Sequence, residues 1–377
     1  MIGAAFGRFT AVLVKEFIQM RRDRMTFAMM IGIPIVQLTL FGFAINNDPK
    51  QLPTLVEMND SGPLSRSFLA AMRNSDYFDF QGTVANGPEG DRALRSGRAV
   101  FVVVVPKGFE RDIVRGERPS ILVAADASDP AATGNAVGAL DRLVATSLRT
   151  HTTGPLAALA GKPEAFEVVV HRRYNPAGET SYNIVPGLLG IILSMTMVMI
   201  TAIAIVRETE RGTMETLLST PARPIEVMVG KILPYVLIGY VQTTVFLALA
   251  LWVFDVPFLG AWTPFLVGLN LFIVVNLALG FLFSTIARSQ MQAMQMSFFY
   301  MLPSILLSGF MFPFSGMPAW AQVLGQAVPA THFIAIVRKV MLKGAGLGDI
   351  APDMGALVVI MATVMTLAVL KYRQTLD

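Results

Sequence analysis

The residues whose types and spacing could do chemistry are concentrated in residues 207 to 231, with the sequence RETERGTMETLLSTPARPIEVMVGK. Acidic Glu208 and Glu210 stand beside basic Arg207 and Arg211, so this segment offers both signs of charge to a partner. Such groups form charge-assisted hydrogen bonds with a complementary protein surface. This segment is therefore predicted to be a binding site for a soluble partner protein. An ordinary solvated connection has the same composition and stays the alternative.

The middle of this segment predicts one short helix. Gly212 permits an unusual backbone angle or a close approach, and Thr213 can cap a helix beside Glu215. Pro221 ends that helix. An apolar anchor within it is offered by Leu217 and Leu218.

The motifs of nucleotide hydrolysis and acyl transfer do not occur in the sequence. A P-loop needs G-x-x-x-x-G-K-[ST], but Gly161-Lys162 is followed by proline and Gly230-Lys231 by isoleucine. No serine lies in a G-x-S-x-G elbow. We therefore expect no enzyme activity in this chain and no cofactor bound to it.

Metal-ligand spacing is also missing. The three histidines are scattered, there is no cysteine, and the acidic residues near position 126 do not have calcium-loop spacing. The residues considered and set aside are His151, His171, His332, Asp126, Asp129 and Asp141.

The composition places the chain in a membrane. Hydrophobic residues make up 54% and charged residues 15%, whereas a soluble chain carries roughly 25% charged residues. The net charge of +4 is modest, and nothing in its distribution predicts nucleic-acid binding.

Six apolar runs approach or exceed the roughly 20 residues that cross a bilayer core. Basic residues precede the first run and follow the last, so the positive-inside rule places both termini and residues 207–231 in the cytoplasm. The predicted fold is therefore a polytopic α-helical membrane protein with six transmembrane helices. Its spans are residues 25–45, 182–206, 232–254, 262–287, 294–312 and 353–371.

Two further segments lie at the membrane surface. Residues 1–24 have apolar residues at helical spacing and basic residues largely off that face, which predicts an interfacial helix; a cytoplasmic extension of the first span is the alternative. Residues 313–352 are apolar but broken by prolines and carry Arg338, Lys339 and Lys343. Six spans put these cations outside, against the positive-inside trend. We expect re-entrant or amphipathic helices in the outer leaflet there; an extra span is the alternative.

Residues 46–181 form a domain of a different kind, too long for a loop. Strand-like runs alternate with helical patterns, which predicts an inserted extracytoplasmic α/β domain. The expected strands are residues 52–58, 77–84, 99–106, 120–126 and 167–174, and the expected helices are residues 63–73, 88–96, 107–116 and 131–152.

This order of elements resembles the permease subunit of type-2 ATP-binding-cassette exporters, in the subfamily with a large periplasmic domain between the first two spans. The resemblance covers nearly the whole chain. Its most specific parts are KEFIQMRRDR at 15–24, RETERGTMETLLSTP at 207–221, SGFMFPFSGMPAW at 308–320 and PATHFIAIVRKVMLKG at 329–344.

The resemblance implies a bacterial inner-membrane protein that works with a separate ATPase subunit, which holds ATP and Mg²⁺. It also implies a second permease copy or a homologous permease, and a periplasmic adaptor protein is a further partner that it allows. The residues that it assigns to the region contacting the ATPase are Glu208, Glu210, Arg211, Gly212, Thr213 and Glu215.

The function expected from this resemblance is export of an amphipathic substrate, a drug-like molecule or a lipid. An ATP-driven lever that acts on periplasmic partners through the outer domain, without transport, is the alternative. Polar residues in the spans are candidates for a substrate path or for hydrogen bonds between helices. They are Gln37, Asn183, Gln242, Asn270 and Asn276.

Overall fold

The computed structural model describes residues 49–149, 166–210 and 224–371. The predicted interfacial helix, the first span and residues 211–223 of the charged segment lie outside this range. The described chain forms an α/β unit, residues 49–149 and 166–173, followed by a helix bundle, residues 180–210 and 224–371.

The α/β unit is built around one five-stranded sheet. All five predicted strands and all four predicted helices are present, within a few residues of the expected bounds. The strands are β1 Leu52–Met58, β2 Phe78–Thr83, β3 Phe101–Val105, β4 Ser120–Asp126 and β5 Glu167–Arg173. The helices are α1 Pro63–Arg73, α2 Gly87–Ser96, α3 Phe109–Val114 and α4 Pro130–Arg149.

The strand order is β2-β1-β3-β4-β5, and β3 pairs antiparallel with β4 while the other pairs are parallel. The apolar run of β3 therefore lies at the centre, as expected for a strand covered on both faces. Phe101, Val103 and Val105 face a core closed by α1, α3 and α4. Val102 faces a smaller core closed by α2.

The bundle consists of long apolar helices joined by short segments. Its helices are α5 Thr180–Glu210, α6 Pro224–Trp252, α7 Trp262–Ile286, α8 Gln290–Leu307, α9 Ala319–Gln326, α10 Pro329–Lys343 and α11 Leu347–Lys371. Helix α7 is central, because it packs against α5, α10 and α11. The bundle therefore closes its apolar core around one helix.

Four of the described helices are long and apolar enough to cross a membrane, where the sequence predicted five spans. They lie in α5, α6, α7 and α11; α9 and α10, bent by 87°, fit either one broken span or the re-entrant pair predicted for residues 313–352. The span predicted at 294–312 differs, because α8 begins earlier and ends at Leu307. Gly309 adopts a left-handed φ of 77° directly after it, and Pro313 follows, so the helix cannot continue.

Candidate functional site

The acidic end of α5 is fastened to the start of α8. Glu210 Oε1 accepts a hydrogen bond from the Gln290 backbone N–H at 2.9 Å, and Glu210 Oε2 accepts one from Gln290 Nε2 at 2.5 Å. A carboxylate at a helix N-terminus satisfies unpaired N–H groups and interacts favourably with the helix dipole. Glu210 therefore links two helices at the end of the bundle that is remote from the α/β unit.

Of the other residues assigned to ATPase contact, Glu208 lies half-buried on the last turn of α5. The remaining ones lie outside the described residues, so their roles stay predictions. They are Arg211, Gly212, Thr213, Glu215, Leu217 and Leu218.

Asn276 joins α5 to α7 inside the bundle. Its Oδ1 accepts a hydrogen bond from Ser194 Oγ at 2.5 Å, and its Nδ2 donates to the Phe272 carbonyl at 2.8 Å. The side chain is fully buried. In this conformation Asn276 therefore makes an interhelical hydrogen bond.

Two further candidates take part in hydrogen bonds that join α6 to its neighbouring helices. Gln242 Nε2 donates to Thr196 Oγ1 of α5 at 3.1 Å, on one flank of the helix. On the other flank, Tyr240 donates its hydroxyl hydrogen to Asn270 Oδ1 of α7 at 2.5 Å. The Tyr240–Asn270 pair is exposed on the bundle surface, although it lies on helices that are long and apolar enough to span a membrane.

Asn183 lies elsewhere, at the start of α5, where its Nδ2 donates to Asp129 Oδ1 of the α/β unit at 3.1 Å. The structure therefore does not bring the described path candidates into one place. Asn183 joins the unit to the bundle, Asn276 is in the core, and Gln242 and Asn270 lie on opposite flanks of α6. Gln37 lies outside the described residues.

The cations of α10, which the sequence showed only as a charge anomaly, have acidic partners. Lys343 Nζ makes a buried ion pair with Asp126 Oδ2 of the α/β unit. Lys339 Nζ lies 2.8 Å from Asp353 Oδ2 of α11. No spacing rule could have found the first pair, since its residues are 217 positions apart.

Arg338, the third cation of α10, lies at the same junction. Its guanidinium donates to the Gly309 carbonyl at 3.0 Å and to the Asn183 carbonyl at 3.3 Å. Gly187 leaves the room for this arrangement, because a Cβ there would lie 2.5 Å from Phe310 and 3.5 Å from Arg338. The cations on this side of the bundle are therefore held by carboxylates and carbonyls.

Burial raises the pKa values of two side chains at this junction, Asp129 and Tyr174. Desolvation raises the pKa of the Asp129 carboxyl above its usual range, although the charge of Arg338 acts in the opposite direction. Burial, followed by the charge of Asp126, raises the pKa of Tyr174 to about 12. Tyr174 is therefore a neutral phenol at physiological pH, and the carboxylate facing Lys343 is that of Asp126.

Two of the three tryptophans of the chain lie on either side of the connection between α6 and α7. Trp252 ends α6, and Trp262 begins α7 and stacks on Phe258 at 4.3 Å, whereas Trp320 lies on α9. All three side chains are exposed. Tryptophan collects at membrane–water interfaces, so Trp252 and Trp262, here called the tryptophan belt, favour a bilayer boundary near this connection.

Comparison with known proteins gives matches along almost the whole chain. Residues 24–370 match the model of the ABC-2 family transporter proteins. The probable multidrug ABC transporter permease YbhR of Escherichia coli is 26% identical over 369 residues, 98% of this chain and 99% of the relative. The probable multidrug ABC transporter permease YbhS of the same species is 30% identical over 346 residues, 89% of each chain. The inner membrane transport permease YhhJ is 31% identical over 294 residues, 76% of each.

Proposed function

The chain belongs to the ABC-2 family of transporter proteins, and from this premise we propose that it is the permease subunit of an ATP-driven exporter for an amphipathic substrate. That substrate is a drug-like molecule or a lipid taken from the cytoplasm or the inner membrane. The observation that carries the proposal is the family match over residues 24–370. The multidrug permeases among the relatives support the substrate class.

The ATPase partner is proposed to dock at the end of the bundle formed by Glu210 and the start of α8. The Glu210–Gln290 hydrogen bonds make α5 and α8 respond together to a force on residues 207–231. Nucleotide binding and hydrolysis in the partner would then tilt both helices. The energy of ATP reaches the membrane through this contact, because the chain has no P-loop of its own.

The orientation proposed here puts the ATPase end in the cytoplasm and the α/β unit in the periplasm. Arg207, Arg288 and Lys371 lie at the ATPase end, as the positive-inside rule favours. The tryptophan belt lies at the opposite end. Of the three cations of α10 on that outer side, Lys339 and Lys343 pair with Asp353 and Asp126, and Arg338 donates to two carbonyls, so each has a partner in the folded chain.

A second permease copy is proposed to cover the face that carries Tyr240 and Asn270. Asn270 lies eight residues into α7 from Trp262, about 12 Å along the axis. Polar groups at that depth are unfavourable against lipid and favourable against protein or a water-lined path. By contrast, the outward stripe of α6, with Leu237, Val241 and Val245, is apolar and suits a lipid surface.

Reconstitution with the ATPase tests the function. The permease and its ATPase are placed in liposomes, and ATP-dependent movement of a fluorescent amphipathic dye or a labelled lipid is measured. Movement that requires ATP hydrolysis supports export. ATP-dependent rearrangement of the α/β unit without movement of any substrate supports instead the alternative lever acting on periplasmic partners.

Introduced cysteines test the orientation and the second copy, since the chain has none of its own. Exposed Lys107→Cys should react with an impermeant thiol reagent in cells with an intact inner membrane, and exposed Arg288→Cys should not. Oxidation of Asn270→Cys should give a dimer, whereas Val359→Cys, exposed on α11, should not. If Asn270→Cys instead pairs with a cysteine placed in residues 25–45 of the same chain, the proposed interface is wrong.

A further inference from the structure

The α/β unit and the helix bundle have separate apolar cores. The clusters around Phe101 and Val102 contain residues of the unit alone, and the cluster around Phe272 contains residues of the bundle alone. A junction without a large shared apolar interface leaves relative motion of the two parts as the default expectation. Their relative orientation therefore depends on particular polar contacts.

Lys343, the last residue of α10, makes the most extensive of these contacts. Its Nζ donates to Asp126 Oδ2 at the end of β4 and to the Leu94 carbonyl of α2 at 3.3 Å. The same atom lies 5.5 Å from the centroid of the Tyr174 ring, directly after β5. One side chain, 9% exposed, thus contacts three parts of the unit at once.

The helix that carries Lys343 is held firmly in the bundle. Phe333 stacks on Phe272 of α7 with ring centroids 4.1 Å apart, and Ile334 fills the space beside Gly190 of α5. Helix α10 then ends at Gly344, whose left-handed φ of 63° turns the chain away. Lys343 therefore lies at the end of a helix whose earlier turns are packed in the bundle core.

The covalent connection at this junction is short and braced. Asn175, fully buried between β5 and α5, donates from Nδ2 to the Glu179 carbonyl at 2.9 Å. Its Oδ1 accepts a hydrogen bond from the Glu179 N–H at 2.8 Å. This loop and the Asn183–Asp129 hydrogen bond both hold the unit near the start of α5, and a fixed point on another helix is needed to stop the unit from rotating about that place.

We propose that Lys343 is that fixed point: a positioning residue that fixes the α/β unit to α10, so that movement of the bundle helices carries the unit as a rigid body. This role goes beyond the proposed function and does not require transport. It also gives a reason for a lysine on the side of the bundle where the positive-inside trend disfavours one. Buried Asp126 is its counterion.

The test is a distance measurement between two spin labels in the full-length protein in detergent. Cysteines replace exposed Arg115 of the unit and exposed Val359 of α11. Lys343→Met keeps the apolar stem and removes the charge. Lys339→Met is the matched control: it removes a charge from the same helix whose ion-pair partner, Asp353, lies 2.8 Å away in the bundle, and methionine keeps the apolar stem that lies beside Gly97 of the unit.

The wild type and Lys339→Met should give the same narrow distance distribution. Lys343→Met should broaden it by about twofold or more, because the unit then takes several orientations. In the complex with the ATPase, the distribution should stay narrow during ATP hydrolysis in the wild type and stay broad in Lys343→Met, because only the wild-type unit moves with the bundle as one body. Lys343→Arg should restore the narrow distribution.

A narrow distribution in Lys343→Met, equal to that of the wild type, would overturn the proposal. If that variant does not fold, Asp126→Leu combined with Lys343→Met is measured, because apolar replacement of a buried ion pair is commonly tolerated. A broad distribution in the double variant supports the role, and a narrow one overturns it. None of these distances depends on substrate, so failure of the export proposal leaves this test intact.

Discussion

Two aspartates three positions apart, Asp126 at the end of β4 and Asp129 in the turn after it, have different electrostatic surroundings. Asp126 holds the buried cation of Lys343 and accepts two hydrogen bonds from Ser128. Asp129 accepts from Asn183 and from the Ala132 N–H, and burial raises its pKa. The sequence identified this stretch only as a turn before a helix, because neither the lysine nor the asparagine is near it in the chain.

Asp126→Asn should destabilise the protein, whereas Asp129→Asn should not. The first change leaves a buried lysine charge without its counterion, which costs about 3–5 kcal/mol. The second keeps an oxygen for both hydrogen bonds and removes a carboxylate whose ionisation burial opposes. Thermal unfolding of the two purified variants beside the wild type measures the difference. Equal loss of stability in both would contradict the electrostatic contrast.

The pH dependence of Asp129→Asn follows from the direction of the shift. A carboxyl whose pKa is higher in the folded than in the unfolded state stabilises the fold below the unfolded value of 3.8. That contribution is lost as the pH rises through the raised folded pKa. The melting temperature of Asp129→Asn relative to the wild type should therefore increase from about pH 4 to about pH 8. If the melting temperature of Asp129→Asn relative to the wild type instead decreases over this range, Asp129 is stabilised as the anion.

At the scale of elements, local sequence patterns predicted each strand and helix of the α/β unit but, apart from the central place of the apolar run at 101–105, not the order or direction of the strands. Alternation of apolar runs with helical patterns is a local property, so β1 to β5 and α1 to α4 were all found. The antiparallel pairing of β3 with β4 depends on the path of residues 106–119, for which no periodicity gives a direction. The early end of α8 depends on the backbone angle at Gly309, which many glycines do not adopt.

The contact between α5 and α7 requires a residue without a side chain at position 280. A Cβ on Gly280 would lie 2.7 Å from the Val198 carbonyl oxygen and 2.7 Å from Thr201 Cβ. Gly280→Ala should force the two helices apart and cost about 1–3 kcal/mol by overpacking. Gly355→Ala on α11 is the matched control, because nothing lies within 4 Å of its added Cβ. Equal melting temperatures for the two variants in detergent would show that α5 and α7 can separate without cost.

The proposed coupling to the ATPase through the end of α5 and the segment after it can be tested by charge reversal. Reversing the charges of Glu208, Glu210 and Arg211 should abolish stimulation of the ATPase and transport while the permease stays inserted. Glu210 also binds Gln290, so Glu210→Gln is measured beside the triple reversal: it removes the charge and keeps an acceptor for the Gln290 N–H, while its amide nitrogen cannot accept from Gln290 Nε2. ATPase stimulation and dye transport are measured in liposomes. Normal values for both in the triple reversal would remove this segment from the coupling mechanism.

At the scale of the whole molecule, the cations of residues 313–352, which conflicted with the predicted topology, lie near the junction between the α/β unit and the bundle. Two of the three cations of residues 313–352 have carboxylate partners, one in the α/β unit and one in α11. Composition could show the conflict but not its resolution, because the partners are brought together only by the folded chain.

The separate core of the α/β unit leads to a last prediction. Residues 48–178, expressed alone and exported, should be soluble and unfold cooperatively, because Phe101, Val103 and their neighbours are buried without help from the bundle. The fragment lacks Lys343, but the junction face is then open to water, so Asp126 can be solvated there. Val103→Asp should abolish the transition, since an unpaired charge in the central strand costs several kcal/mol, on the order of the stability of a small domain. Val169→Asp, 41% exposed on the edge strand β5, is the control and should still unfold cooperatively. If the fragment shows no cooperative transition, the unit depends on the bundle for its fold, and its contact with Lys343 would be needed for folding. If Val103→Asp retains the transition, Val103 is not part of the core that stabilises the unit.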